Sequence, residues 1–150
     1  MKLYLGADHR GYSLKEKVKG WLDSLQFTYE DLGAHQLDPD DDYTTYAGRV
    51  GSAVGTEKNA LGILLCGSGA GVEITANKFD GARAALGKTP LQVAAARHDD
   101  NINILVIAAD FTKDLEAKEM IKNFLDTNFA HDIERYARRL EDIKRIEENN

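Results

Sequence analysis

One cysteine stands among 150 residues, so no internal disulfide can form, and Cys66 is either a small buried apolar residue or a reactive thiol. Net positive charge is also missing. A formal charge of −6 argues against general nucleic-acid binding, which draws its affinity from neutralising phosphates with Lys and Arg. No long apolar run precedes the first charges in Met1-Lys2-Leu3-Tyr4-Leu5-Gly6-Ala7-Asp8, which is the pattern of neither a signal peptide nor a spanning helix. The expectation is a cytoplasmic protein with no membrane partner. The nucleotide fingerprints are absent too. There is no Gly-x-x-x-x-Gly-Lys-Ser/Thr, and in Gly67-Ser68-Gly69-Ala70-Gly71 the third glycine comes one residue too early for the dinucleotide pattern.

What is present reads as one soluble domain. Hydrophobic residues make up 43% and charged residues 29%, and a chain of this size can bury a core without metals or disulfides. Residues 2–7 read as a strand, and Leu14, Val18, Trp21, Leu22 and Leu25 then recur at helical spacing. Residues 27–32 suggest a second strand, followed by a loop rich in Asp to residue 42 and a helix over 46–54. Residues 60–66, Ala-Leu-Gly-Ile-Leu-Leu-Cys, form a nearly unbroken apolar run, as expected of a central parallel strand covered on both faces. Further strands are expected over 82–87 and 103–108, with helices over 72–77, 90–97 and from 115 onward, broken near 128–131. Strands alternating with helices predict an α/β, Rossmann-like, doubly wound domain of three layers on a five-stranded, mostly parallel sheet. Ligands in such sheets sit beyond the carboxyl ends of the strands. That directs attention to Asp8-His9, to residues 66–71 and to the loop before Asn103.

Cys66 closes the buried strand and opens a run with three glycines, which lets backbone amides approach an anion at the start of a helix. Partial positive charge there is expected to lower the thiol pKa, so that Cys66 could act as base or nucleophile. Core filler beside a tight turn is an equally good reading of the same residues. His35 and His131 match no pattern and read as surface residues.

Gly6-Ala7-Asp8-His9-Arg10-Gly11, Asp42-Tyr43, residues 62–71 ending in Cys-Gly-Ser-Gly-Ala-Gly, and Ala76-Asn77-Lys78 together resemble the motifs of the ribose-5-phosphate isomerase B / galactose-6-phosphate isomerase family, in its order and spacing. The resemblance implies aldose–ketose isomerisation of a phosphorylated sugar of the pentose phosphate or hexose 6-phosphate type, with a proton moved between C1 and C2 through an enediolate and no metal or organic cofactor. It makes Cys66 the base and gives the developing oxyanion to Ser68 and the amides of Gly67, Gly69 and Gly71. Asp8 and Tyr43 become sugar contacts, while His9, Arg135 and Arg139 become phosphate ligands. A homodimer, or a dimer of dimers, is implied, with a C-terminal helix near 132–148 reaching a second subunit. For the arginines, the solvated face of a terminal helix is the rival reading.

The sequence departs from that pattern in three places. Aligned without a gap, the family's ring-opening histidine falls on Asp99 and its neighbouring Asn on Asp100, with His98 one residue off. Either Asp99 or His98 is then expected to take the acid–base role. The family's phosphate-binding arginine after the last strand is replaced by Asp110, which with Asp99 and Asp100 predicts an unusually acidic rim. Thr44 stands for the usual proline. These departures leave two alternatives: a non-catalytic or partial-site member acting as sensor or hetero-oligomer subunit, and a flavodoxin-like domain holding FMN phosphate in the glycine loop.

Overall fold

Side chains on a strand alternate between faces, and here each strand's two sets of apolar residues decide which helices cover it. The computed structural model describes residues 1–149. It runs β1 (Leu3–Ala7), α1 (Tyr12–Ser24), β2 (Glu30–Asp31), α2 (Tyr43–Thr56), β3 (Leu61–Cys66), α3 (Ala70–Ala76), β4 (Ala84–Leu86), α4 (Pro90–Asp100), β5 (Ile104–Ala108), α5 (Asp114–Asp126) and α6 (Glu134–Glu148). The five strands form one sheet in the order β2-β1-β3-β5-β4, and every pairing is parallel.

Leu3, Leu5, Ala7, Leu61, Ile63, Leu65, Leu105 and Ile107 point to one face, where α1, α4 and α5 cover them with Leu14, Val18, Leu22, Val93, Met120 and Phe124. The intervening Tyr4, Leu64, Cys66, Ile104 and Val106 point to the other face, under Ala47, Val50 and Val54 of α2 and Val72 and Ala76 of α3. This is the doubly wound, three-layer α/β arrangement that the alternation of elements predicts. β2 is shorter than expected. Phe27 and Tyr29 pack on the core, but only Glu30 and Asp31 reach ladder register with β1 at the sheet edge. α4 runs three residues past Arg97 and stops at Asn101, whose left-handed φ of 53° ends the helix. α6 buries none of its residues. It touches the body mainly through α4 and through Glu147, which accepts a 3.0 Å hydrogen bond from the Gly81 amide.

Gly11 is where the fold is tightest around the future site. A Cβ at this position would stand 2.2 Å from the Leu65 carbonyl oxygen, so α1 starts directly against the backbone of β3, one residue before Cys66. Gly20, in the exposed middle of the same helix, meets nothing within 4 Å. Gly11→Ala is therefore expected to cost about 1–3 kcal/mol through overpacking. Gly20→Ala is expected to stabilise by about 0.5–1 kcal/mol. Urea denaturation of the two variants checks both signs.

Candidate active site

From β1 the chain winds outward to β2, while from β3 it winds the other way. The carboxyl ends of β1 and β3 thus flank the crevice where open α/β sheets bind ligands. Ala7 pairs with Leu65 across this junction, which puts the next residues, Asp8 and Cys66, side by side. The Cys66 Sγ donates to Asp8 Oδ2 at 3.0 Å, with Cys66 7% and Asp8 3% exposed. The other carboxylate oxygen, Oδ1, accepts from the Arg10 and Gly11 amides at 3.1 and 2.9 Å. Both oxygens are therefore engaged inside the protein. Asp8 is the partner of the thiol, a role beyond the expected contact with sugar hydroxyls.

The thiol is also not the one expected. Burial, then the hydrogen bond to Asp8, then that carboxylate's charge push Cys66 up to about 11, while the amides of Gly69 and Gly67 pull the other way. The amide-lined turn does favour a thiolate, but a neighbouring anion and lost hydration outweigh it. Cys66 rests as a thiol whose proton faces a carboxylate.

Around this pair the loop is held open by glycines. Gly69 has a φ of +80°, and a Cβ on Gly67 would lie 2.5 Å from Arg10 Nε and 2.8 Å from Asp110 Oδ2. Arg10 and Asp110 form an ion pair across that glycine. The ring of Tyr43, at the start of α2, lies against Gly71, where a Cβ would meet it at 2.7 Å. Ser68 is exposed, and its hydroxyl accepts only a long 3.4 Å contact from the Ala70 amide. A groove of about 270 Å³ adjoins Ser68 and is walled by Leu86, Lys88, Phe111 and Thr112; Cys66 is not on its wall. His9 closes the opposite side of the loop, its amide and Nδ1 bonded to Asp41 Oδ1 at 3.0 and 2.7 Å. The hydrogen bond to Asp41 is the main cause raising the imidazole pKa above its ordinary value.

The remaining sequence candidates lie elsewhere. His98, Asp99 and Asp100 end α4 and precede β5, whereas Cys66 pairs with Ala108 at the far end of that strand. The length of β5, roughly 13 Å at 3.3 Å per residue, separates the two groups within one chain. The loop before Asn103 is at the amino edge of the sheet, and its expected place beside Cys66 is corrected accordingly. There His98 Nδ1 and Asp99 Oδ1 lie 2.7 Å apart, and the His98 ring meets Tyr136 of α6 edge-on at 6.0 Å. The hydrogen bond to His98 is the first cause holding Asp99 below the usual carboxylate range. Arg135 stacks on Tyr136 at 4.9 Å, and Arg139 is exposed one turn further on. Asp100 lines a groove of about 360 Å³ between α6 and β4. Within one chain the acidic rim does not form: Asp99 and Asp100 are at the other edge, and Asp110 is paired with Arg10.

Two residues beside the site escaped the sequence reading. Asp41, whose side chain is 3% exposed, fixes His9, but among five residues containing four aspartates nothing marked it out. Arg10 sat inside a recognised motif, and its role follows only from the fold that brings Asp110 to it. Among the described residues no group of three or more His, Cys, Asp or Glu side chains could hold a metal ion, and no helix is long and apolar enough to cross a membrane.

Comparison with known proteins agrees with the site. The family model described as Ribose/Galactose Isomerase matches residues 3–143. A probable ribose-5-phosphate isomerase B of Mycoplasma genitalium is 38% identical over 97% of this chain and 95% of its own. Ribose-5-phosphate isomerase B of Mycobacterium tuberculosis is 34% identical over 98% of this chain and 90% of its own. Among solved structures, the crystal structure of ribose-5-phosphate isomerase B from Mycoplasma genitalium with bound ribulose-5-phosphate superposes with a TM-score of 0.94 at 36% identity, covering 99% of this chain and 97% of that one. With its motifs, fold and sequence in agreement over almost its whole length, the chain belongs to the ribose/galactose isomerase family.

Proposed function

We propose that this chain is an aldose–ketose isomerase of a phosphorylated sugar, ribose 5-phosphate or a close relative in the pentose phosphate group. The observation that carries the reading is the buried Cys66–Asp8 pair facing an amide-lined glycine turn at the sheet's ligand crevice. Asp8 takes the thiol proton, and the Cys66 thiolate removes the proton from C2 of the open-chain aldose. The C–H electron pair becomes the C1–C2 double bond, and the C1 carbonyl oxygen becomes an oxyanion. The amides of Gly67, Gly69 and Gly71 and the Ser68 hydroxyl receive that charge, with Tyr43 packed against Gly71 as the wall beside the sugar. Transfer of the C2 hydroxyl proton to the C1 oxyanion and return of the first proton from Cys66 to C1 give the ketose.

Ring opening and part of phosphate binding fall to groups at the opposite edge, and they reach Cys66 only from a second copy. The support is twofold: these groups lie a strand's length from the thiol, and α6 buries nothing on its own chain while exposing Ile143 and Ile146 at 38% and 62%. In the homodimer, or dimer of dimers, Asp99 and His98 of one copy act as a hydrogen-bonded acid–base unit on the ring oxygen, in place of the family's histidine. Asp100 contacts the sugar beside them. His9 of the other copy, with the incoming Arg135 and Arg139, holds the phosphate. The partial-site alternative loses its main support once His98 and Asp99 stand together, and the flavodoxin-like alternative is set aside by the family match over residues 3–143. A cytoplasmic location belongs to the same proposal, since soluble sugar phosphates are handled there.

Cys66→Ala is expected to lower solvent-proton exchange at C2 of ribose 5-phosphate by about 10²–10⁴-fold with an unchanged circular dichroism spectrum; retained exchange would make Cys66 a packing residue. Asp41 and Asp8 favour the charged form of His9, while Arg10 opposes it, and the net result is a raised pKa. Phosphate binding should therefore hold below the ordinary imidazole value and be lost as pH climbs through the raised one. KM for the sugar phosphate then rises with pH across that interval, and the rise disappears in His9→Gln. The shared site has its own check. Mixing inactive Cys66→Ala with inactive Asp99→Ala protein, after subunit exchange, should restore about a quarter of wild-type activity, because half the dimers are hybrids with one intact site. No recovery would place the whole site within one chain.

A further inference from the structure

The amino edge of the sheet holds a second cluster of charge that the isomerase chemistry does not use. A cavity of about 230 Å³ opens where β3 and β5 begin, walled by Glu57, Leu61, Arg83, Arg97, Asn101 and Asn103. Arg83 and Arg97 are both half-buried, and among the described residues neither forms an ion pair with a carboxylate. Arg83 spends its Nε and one Nη on the carbonyls of Asn101 and Gly81, at 2.8 and 3.0 Å. Arg97 bonds the Asn101 side chain through one Nη. Its Nε is shut from solvent with no partner, and its guanidinium carbon lies 5.9 Å from the centre of the Phe124 ring.

Arginine does not escape such surroundings by losing its proton. Burial holds both guanidinium pKa values below the ordinary one, and for Arg97 the charge of Arg83 adds to the effect. Two like charges are thus gathered, partly desolvated and without a contact ion pair, in one cavity, and the charge of Glu147 offsets only part of the cost at Arg83. Among the described residues no nearby carboxylate forms an ion pair with either arginine. Glu57 is held by Lys2 at 2.8 Å and by the Tyr4 hydroxyl, and Glu147 is bonded to the Gly81 amide. The Asn103 side chain is likewise committed, to the Arg83 amide and the Gly81 carbonyl.

We propose that this cavity is a second, non-catalytic anion site, in which Arg83 and Arg97 together bind a phosphoryl-sized dianion. Two guanidinium charges without a contact ion pair suit one dianion, and their planar donor forks suit its oxygens. The site is linked to the end of α4. Asn101, the residue that stops that helix, bonds to both arginines through its carbonyl and its side chain. It stands two residues after Asp99, so an anion here steadies the turn that carries His98 and Asp99. Binding does not depend on the proposed isomerase mechanism; only this consequence for activity does.

The test titrates inorganic phosphate into the full chain carrying Arg135→Ala and Arg139→Ala, which removes the arginines proposed for the catalytic phosphate, and follows binding by calorimetry. Phosphate should still bind with one site per chain, and adding Arg97→Gln should weaken it at least tenfold. Equal affinity with and without Arg97→Gln overturns the proposal. Should Arg97→Gln fail to fold, wild-type crystals soaked in selenate decide: an anomalous peak between Arg83 and Arg97 supports the site, and its absence overturns it. Repeating the titration with ribose 5-phosphate separates the sources, since displacement of phosphate marks a sugar phosphate as occupant and no displacement marks the free ion. Because the readout is binding, a failure of the isomerase reading leaves it untouched.

Discussion

The sulfur of Cys66 and the carboxylate of Asp8 come within 3.0 Å because β1 and β3 are adjacent, parallel and in register at their last residues. Much of the surrounding structure serves that contact. Gly11 lets the start of α1 press onto the Leu65 carbonyl, and the Gly11 and Arg10 amides fix the outer oxygen of Asp8. The inner oxygen is left with one role, to face the thiol. A buried carboxylate beside a thiolate would be two like charges out of water, so the pair holds at most one negative charge at a time. This is how a thiol pushed up to about 11 can still serve as a base. The proton need not leave for solvent; it has an acceptor 3.0 Å away, and the amides of Gly67 and Gly69 stabilise the sulfur when it departs.

The elements were readable where a residue's neighbours are set by periodicity. The apolar run ending at Cys66 reads as a central strand because all six of its residues from Leu61 onward are buried, and an unbroken apolar segment has few other destinations in a soluble domain. The resemblance carried by the glycine loop and the Asp-His-Arg-Gly motif supplied the chemistry that periodicity cannot. What stayed hidden depends on contacts between residues far apart in the chain. The upward shift of Cys66 comes first from burial and then from Asp8, 58 residues earlier. A helix-terminus argument drawn from the local sequence sees only the amides and reaches the opposite answer. Lys15 is a further case: a lysine on α1, it is fully buried and paired with Asp31 of β2.

Topology also explains why one chain looks incomplete. A parallel sheet delivers the ends of its strands to one edge and the ends of its helices to the other, so the last residues of α4 and the last residues of β3 cannot meet within a protomer. The proposed mechanism uses both, and therefore needs two copies. In this chain the helix-end group is a His98–Asp99 unit beside Tyr136 and Arg135, all on α4 and α6. α6, amphipathic and without a buried residue, is the element best placed to carry that unit to another copy.

The replacement of a phosphate-binding arginine by Asp110 looks damaging in sequence because an anion would then face a dianion. In the fold that aspartate is paired. Arg10, from the loop after β1, crosses Gly67 to pair with Asp110 at the end of β5, so a guanidinium lies over the glycine turn. The pair is close to neutral, and it repels a phosphate far less than a bare aspartate would. It also depends on Gly67 having no side chain: a Cβ there would collide with both partners. Gly67 thus serves two demands at once, close approach of its amide to the sulfur on one side and passage of the Arg10 side chain on the other, and a larger residue would lose both.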